Sequence, residues 1–328
     1  MTPQLRELDP TRIRLRGPYG HFPLAQHLET GYWLPFQEPA VLDRPHADPA
    51  NWRWYDESRM PRTPLLGFLR LLDDHGLLHL APGPRAPHLF SRPFATYKDV
   101  QWDRLLADKR GQNCSEARFF NGASTTMPAG VRLAELAVQR YTQRLVLSSA
   151  DRSDMYHQAQ VTRERADRNA LGPAFSLADF ARFPGNAVKE FEVRLAAARL
   201  CARERSGDAF LLGKDPRSVP RFDASLPVAK WPRFKVRGAL CTLPMGDHCA
   251  VDFAQSAHMS LLRSGGLLVQ ASFLDAREPA PSATDVWEVL VIDDYVVVGI
   301  IPVVGNTGRR EDLVRFDRAL HLYEDREG

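Results

Sequence analysis

The spacing of apolar residues predicts regular secondary structure from Thr63 onward. In the segment L-L-G-F-L-R-L-L-D-D-H-G-L-L, leucines recur on one helical face, which predicts a helix that stops at Gly76. Residues 94–113 predict a β-hairpin whose second strand centres on Leu105–Ala107. Residues 1–62 are rich in proline, arginine and tryptophan and show no sustained period. They therefore form an N-terminal extension of unknown role.

The rest of the chain continues to mix helical and strand patterns. Val131–Gln143 predicts a helix, and the apolar run after it predicts a strand that ends in an acidic turn at Asp151. Leu177 to about Ala209 has the composition of a helix, and the segment R-R-E-D-L-V-R-F-D-R-A-L-H-L-Y predicts an amphipathic helix. Together these elements indicate an α+β fold.

Two adjacent aspartates interrupt an apolar run, V-L-V-I-D-D-Y-V-V-V-G-I-I, that otherwise predicts a buried strand. An unpaired buried carboxylate is costly, so Asp293 and Asp294 need either solvent at a turn or a cation. A hairpin tip explains them without any ligand, because aspartate tolerates the backbone angles of tight turns. If the strand ending at Asp151 lies next to them, the carboxylates instead suit two Mg²⁺ ions that serve phosphoryl transfer.

Composition limits the class of protein without selecting a function. With 328 residues, 44% of them hydrophobic, the chain is long enough for one large core or two smaller ones. The formal charge of +3 is compatible with a polyanionic partner but does not require one. The four cysteines form no C-x-x-C pair, and no signal-like or membrane-spanning stretch is present. We therefore expect free thiols, an intracellular location in cytoplasm or nucleus, and no membrane.

Four segments, in order, resemble the reverse transcriptases of retroelements over approximately residues 63–325. The helix Leu65–Leu78 resembles the entry to the fingers, and K-D-V-Q-W-D-R-L-L-A-D-K-R-G-Q-N is similar to the fingers hairpin. Its matching residues are Lys98, Arg104, Asp108, Arg110 and Asn113. A-D-R-S-D-M-Y-H-Q resembles the first palm motif, with Asp151 and Tyr156. L-P-M-G resembles the family's L-P-Q-G turn, and V-I-D-D its Y-x-D-D hairpin.

The resemblance implies a fold and a reaction. It implies polymerase fingers at 63–150 and a palm at 151–328, built as an antiparallel sheet backed by helices, with a helical insertion at about 177–220. The reaction is RNA-directed DNA polymerisation, in which a primer is extended on an RNA or DNA template with deoxynucleoside triphosphates. Asp151 and Asp293 then hold two Mg²⁺ ions, for which Mn²⁺ is an alternative, and Asp294 supplements the site.

The resemblance also assigns roles around the nucleotide. Lys98 and Arg104 form a cationic clamp on the phosphates, although Arg104 also reads as an ordinary surface arginine. Backbone N–H groups after Asp151, in the turn that contains Asp154, cradle the phosphates. Tyr156 lies under the sugar and excludes a 2′-hydroxyl, unless it is a core aromatic. Met245 and Gly246 form the turn that approaches nucleotide and template.

Several departures from the family pattern leave alternatives open. Met245 replaces the family's glutamine, and Val291 replaces the aromatic residue before x-D-D. We expect the thumb to be absent, with a thumb or ribonuclease H domain supplied by a longer product. One alternative is a catalytically inactive, truncated or domesticated nucleic-acid-binding protein. The other is an interaction protein in which the four matches are coincidental.

Overall fold

A computed structural model describes residues 5–6, 8–15, 19–44, 61–83, 90–128, 130–204, 222–305 and 310–327. They form a mixed α+β architecture. The chain divides into two compact units, each made of three segments. Unit 1 comprises Met1–Gly20, Gln37–Ala117 and Tyr156–Asp247, and unit 2 comprises His21–Phe36, Arg118–Met155 and His248–Gly328.

The strands and helices are named in chain order. The strands are β1 Leu5–Arg6, β2 Leu78–Pro82, β3 Phe90–Tyr97, β4 Asp103–Asp108, β5 Gln143–Asp151, β6 Ala170–Ser176, β7 Lys235–Leu240, β8 Val286–Val291 and β9 Asp294–Pro302. The helices are α1 Thr30–Gln37, α2 Arg62–Asp74, α3 Arg110–Ser115, α4 Gly130–Ala134, α5 Met155–Gln158, α6 Arg163–Arg168, α7 Ala187–Glu204, α8 Ala250–Ser264 and α9 Glu311–Glu327. Short 3₁₀ turns lie between several of them.

A mixed sheet and the amphipathic helix α2 form the centre of unit 1. The sheet order is β1-β3-β6-β7-β2, with β4 paired to β3. The β3–β4 hairpin confirms the hairpin predicted at 94–113. Helix α2 also ends as predicted, because Gly76 adopts φ +68°, a conformation that glycine reaches without strain. Its buried residues Phe68, Leu69 and Leu72 pack in the main core of this unit.

Two strands from the range expected for the palm belong to the sheet of unit 1. Strand β6 pairs in parallel with β3, and β7 pairs antiparallel with β2 and β6. Both carry almost uninterrupted buried residues, which suits interior strands that are covered on both faces. The expected division at residue 150 therefore differs from the division seen in the structure, where residues 156–247 return to unit 1.

The region expected as a helical insertion at 177–220 is divided where the structure describes it. A 3₁₀ turn at Leu177–Phe180 follows a Ser176/Asp179 capping box, and α7 begins only at Ala187. The amide of Gly185 donates to Asp73 Oδ2 at 2.7 Å. The buried side chains of this region join the main core of unit 1. The part of the prediction that covers residues 205–220 lies outside the described residues.

Unit 2 is built on the antiparallel sheet β5-β9-β8, which agrees with the antiparallel strands expected around the aspartates. Helix α9 confirms the helix predicted for this amphipathic segment, and it contacts β9, β5 and β8. The helix predicted over Val131–Gln143 is shorter: α4 ends at Ala134. Beyond it Leu136 leaves the helical path and packs with Trp287 and Val298.

Part of the N-terminal extension contributes to these units. In unit 1, β1 pairs with β3, and Arg12 Nε lies 2.9 Å from Asp103 Oδ2. In unit 2, Phe36 of α1 packs edge-on against Phe253 of α8, with ring centroids 5.2 Å apart. The described residues before 62 therefore take part in the structure of both units.

Two further expectations concern membrane-spanning helices and the cysteines. Of the helices that the structure describes, none is long and apolar enough to cross a membrane. Cys114, Cys241 and Cys249 are free thiols. Burial raises the pKa of the Cys241 thiol to about 12, so this thiol is protonated and unreactive at neutral pH.

Candidate active site

Three aspartates lie at one end of the unit 2 sheet. Asp151, the last residue of β5, is the direct register partner of Asp294, the first residue of β9. The amide of Arg152 donates to the carbonyl oxygen of Asp293 at 3.1 Å, so the pairing continues past the strand end. Residues directly opposite in an antiparallel pair have Cα atoms about 4.5–5.5 Å apart. The two acidic strand ends are therefore neighbours in one sheet.

The position of the aspartates explains how an apolar sequence tolerates them. Asp151 and Asp294 are exposed, and Asp293 is partly buried in the tight turn between β8 and β9. Water therefore reaches the exposed carboxylates and removes most of the cost of placing charge beside a buried strand. Across the described residues, the oxygens of these three carboxylates are not all within 4.8 Å of one another. Their chemistry fits Mg²⁺, which takes oxygen ligands and retains water.

Asp154 adds a fourth carboxylate in the turn after β5. Its backbone adopts φ +54°, which is uncommon for a residue other than glycine. Its Oδ2 atom is buried and accepts no hydrogen bond from the described residues. An ionised carboxylate offers only acceptors, so this oxygen suits a cation or an N–H donor rather than a phosphate. The backbone N–H groups of the turn are the groups that suit a phosphate.

The turn that carries Asp293 is strained and is held from helix α8. Ile292 adopts φ +57°, and a β-branched residue in this region costs on the order of 1–3 kcal/mol. Its amide donates to Gln255 Oε1 at 2.7 Å, and its carbonyl oxygen lies 2.7 Å from His258 Nδ1. Gln255 also donates to the carbonyl oxygen of Leu290 at 3.1 Å. Both backbone groups of Ile292 are therefore fixed by side chains one helical turn apart.

His258 holds this turn as a neutral imidazole. A carbonyl oxygen can only accept, so Nδ1 carries the proton that is donated to Ile292, and Nε2 accepts from the Tyr323 hydroxyl at 2.7 Å. Burial, followed by the positive charge of Arg152, lowers the pKa of His258 to about 3. The guanidinium of Arg152 lies 5.3 Å from the ring centre of Tyr323. The clamp is therefore uncharged at neutral pH.

A buried carboxylate on strand β8 supports the same hairpin. Glu288 of β8 accepts hydrogen bonds from the Tyr295 hydroxyl, the Ser272 hydroxyl and Arg315 Nη1, each at 2.7 Å. The amide of Leu268 donates to it at 3.0 Å. Both oxygens are satisfied, so this group is structural rather than a ligand site.

In unit 1, the structure brings the L-P-M-G turn against strand β4 and helix α3. The amide of Ala107 donates to the Met245 carbonyl oxygen at 3.1 Å, and Asn113 Nδ2 donates to the Gly246 carbonyl oxygen at 2.8 Å. Gly246 has φ +110°, and a Cβ atom on it would lie 2.1 Å from the Ala107 carbonyl oxygen. Only glycine fits this position, which explains the residue in physical terms.

The other predicted nucleotide-binding residues are placed as follows. Lys98 lies in the exposed turn of the β3–β4 hairpin, and Arg104 is exposed on β4 opposite Thr96. Tyr156 is partly buried on α5. Met245 is half-buried and lines a small apolar cavity with Leu105 and other unit 1 residues, which gives its thioether an apolar contact.

Sequence reasoning missed the residues that hold the two turns. Gln255 and His258 lie inside a helix whose other buried positions are mostly apolar, and Lys109 and Asp247 are buried within unit 1. Only Lys109 and Asp247 lie in or next to a recognised motif, and all four occupy positions where an exposed polar residue would be ordinary.

Comparison with known proteins gives little further information. No protein-family model matches the chain, and no curated protein sequence matches it. Among solved structures, prototype foamy virus protease-reverse transcriptase is similar at a TM-score of 0.40 and 11% sequence identity. The similarity covers 87% of this chain and 24% of that chain, so this chain spans about a quarter of that protein. Similarity at this level identifies neither a family nor an activity.

Proposed function

We propose that this chain is the fingers and palm portion of an RNA-directed DNA polymerase that extends a primer by two-metal nucleotidyl transfer. The observation that carries the proposal is the register of β5 and β9, in which Asp151 is opposite Asp294 with Asp293 in the adjoining turn. Two acidic strand ends from distant parts of the sequence meet where oxygen ligands and solvent are both available.

In this proposal Asp151 and Asp293 would hold the divalent cations, Mg²⁺ or Mn²⁺, with Asp294 beside them. Cations held there would activate the primer hydroxyl and stabilise the leaving oxygen. The strained turn at Ile292 is fixed before any ligand arrives, which limits the reorganisation needed to place Asp293. The backbone N–H groups of the turn that contains Asp154 would cradle the phosphates.

The partners and the remaining roles follow from the resemblance. Lys98 and Arg104 would neutralise charge on the triphosphate, because guanidinium and ammonium groups stabilise a phosphoryl group in transfer. Tyr156 would select deoxynucleotides, and the Met245–Gly246 turn would contact nucleotide and template. The substrates are then deoxynucleoside triphosphates and an RNA or DNA primer-template.

A second candidate is an inactive relative that binds nucleic acid without extending it. Met245 favours it, because a thioether beside an apolar cavity cannot replace the polar contacts of the family's glutamine. Under this candidate the unaltered chain binds a primer-template and adds no nucleotide.

Primer extension with matched acid variants tests the proposal. Asp151→Asn and Asp293→Asn should each reduce extension by about a hundredfold or more with either Mg²⁺ or Mn²⁺, because each removes a charged metal ligand at constant volume. Asp285→Asn is the control, since Asp285 is an exposed aspartate that precedes β8 at the other end of the same sheet. Near-normal extension by either site variant would contradict the ligand assignment.

A further inference from the structure

A buried ion pair lies directly behind the L-P-M-G turn of unit 1. Asp247 follows Gly246 and is 3% exposed, and Lys109, at the start of α3, is 2% exposed. Lys109 Nζ lies 3.0 Å from Asp247 Oδ2 and donates to Asn169 Oδ1 at 2.8 Å. Asn169 Nδ2 donates in turn to the carbonyl oxygens of Leu240 and Thr242, each at 3.1 Å. One ammonium group therefore joins the turn to the end of β7.

The three consecutive residues of the turn are each held from one short stretch of chain. The carbonyl oxygens of Met245 and Gly246 accept from Ala107 and Asn113. The third contact is the ion pair of Asp247 with Lys109. The first two are single hydrogen bonds to neutral carbonyl groups, whereas the third is buried and joins oppositely charged groups. The ion pair is therefore the strongest and most directional of the three restraints.

A buried ion pair is weak evidence for stability, because desolvation of both charges offsets much of their attraction. A buried ion pair is better explained where it holds the backbone in one geometry rather than several. The L-P-M-G turn needs one fixed backbone geometry. Gly246 leaves no space for even a Cβ atom against Ala107, so a small displacement changes the surface that the turn presents.

We propose that Lys109 is a positioning residue that sets the Met245–Gly246 turn through Asp247. The inference rests on the proposed function for its consequence: the turn contacts the incoming nucleotide, so Lys109 controls nucleotide affinity without touching the nucleotide. Neither Lys109 nor Asp247 is one of the matching residues that carry the resemblance, and the lysine contacts the buried side of the turn.

The first test measures the turn itself and needs no activity. In Lys109→Met, amide hydrogen exchange in a peptide spanning residues 243–248 should rise about tenfold, because the turn loses its buried anchor. Arg165 Nη1, 3.8 Å from Asp247 Oδ2, keeps a cation near the carboxylate, so this variant leaves no lone charge. Lys189→Met is the control, since Lys189 is an exposed lysine on α7 in the same unit. Unchanged exchange in Lys109→Met overturns the proposal.

The second test measures nucleotide use. In steady-state primer extension, Lys109→Met and Asp247→Asn should each raise the KM for deoxynucleotide about tenfold, with a smaller change in kcat. The double variant should be no worse than either single variant, because both act through one pair. Arg165 stays beside residue 247 in all three variants, so circular dichroism of each variant checks that it is folded. An unchanged KM in an active Lys109→Met enzyme overturns the inference.

The two tests separate the two proposals. If the unaltered chain binds a primer-template but never extends it, the proposed function fails, and the exchange measurement still decides whether Lys109 holds the turn. If the unaltered chain extends the primer and exchange does not change in Lys109→Met, the proposed function stands and the positioning role is rejected.

Discussion

The turn at Gly246 in unit 1 and the turn at Ile292 in unit 2 hold their backbone in opposite ways. Both adopt positive φ, +110° at Gly246 and +57° at Ile292. The first turn uses the residue that suits the conformation and is anchored by a buried ion pair. The second uses a residue that resists the conformation and is clamped by neutral hydrogen bonds from Gln255 and His258.

The two restraints differ in the changes that weaken them. An ion pair in a dry interior depends on both partners, because either charge alone is left unsolvated. A neutral clamp loses only the hydrogen bonds that are removed, but it depends on one tautomer of one imidazole. The Gly246 turn should therefore be sensitive to charge deletion, and the Ile292 turn should be sensitive to acid.

The largest effect is expected from charge deletion in unit 1. Asp247→Ala leaves the buried cations Lys109 and Arg165 without their carboxylate and should lower the free energy of unfolding by about 3–5 kcal/mol. The neutral counterpart in unit 2, Gln255→Ala, should cost about 1–3 kcal/mol. Urea unfolding measures both, with the exposed Asp74→Ala as a control expected within about 0.5 kcal/mol. Equal costs at the two turns would contradict the comparison.

An intermediate effect is expected from acid at the unit 2 turn. The pKa of His258 is about 3 in the folded chain, and the unfolded chain has the ordinary value near 6.5. Below pH about 6.5 the unfolded chain binds a proton here that the folded chain excludes. Above that pH the free energy of unfolding keeps the full contribution of neutral His258. Below it, this contribution falls by about 1.4 kcal/mol for each pH unit until pH about 3.

Comparison of variants isolates this contribution to the pH dependence. Between about pH 7.5 and pH 5, the free energy of unfolding of His258→Phe should fall less than that of the wild type, because phenylalanine binds no proton. His321→Phe, at an exposed histidine on α9, should keep the wild-type profile. If the unfolding profiles of the wild type and His258→Phe run parallel over this range, His258 is not the acid-sensitive group.

The smallest effect is expected from relief of strain, and its sign should differ between the turns. Ile292→Gly should raise the free energy of unfolding by about 1 kcal/mol, because glycine adopts φ +57° without steric cost. Gly246→Ala should lower it, because its Cβ would lie 2.1 Å from the Ala107 carbonyl oxygen. Thermal unfolding of the two variants provides the measurement. A loss of stability in Ile292→Gly would show that Ile292 packs more favourably than its backbone suggests.

Local pattern predicted some of this molecule and missed the rest for a physical reason. The β3–β4 hairpin, the end of α2 and the strand ending at Asp151 follow from periodicity and turn chemistry within short windows. Pairing of β6 with β3 and of β7 with β2 depends on residues far apart, for which no local signal exists. The chain division expected at residue 150 differs for this reason.

The same limit applies to the candidate site. The three aspartates stand out because carboxylates are unusual in apolar runs, so the sequence alone offers Asp151, Asp293 and Asp294 as candidates, and their role as ligands stays a prediction. His258 and Lys109 do not stand out, since a histidine within a helix and a lysine just after a strand are ordinary on a surface. Their partners lie 34 and 138 positions away, and only the folded structure shows that these polar groups are buried.

The buried pair of Lys109 and Asp247 also restricts how this sequence can change over generations. A lineage that replaces Asp247 first passes through a protein whose buried cations Lys109 and Arg165 lack this carboxylate, which selection against unfolded protein removes. A lineage that replaces Lys109 first keeps Arg165 beside the carboxylate. Among descendants of this sequence, replacement of Lys109 alone should therefore be found more often than replacement of Asp247 alone.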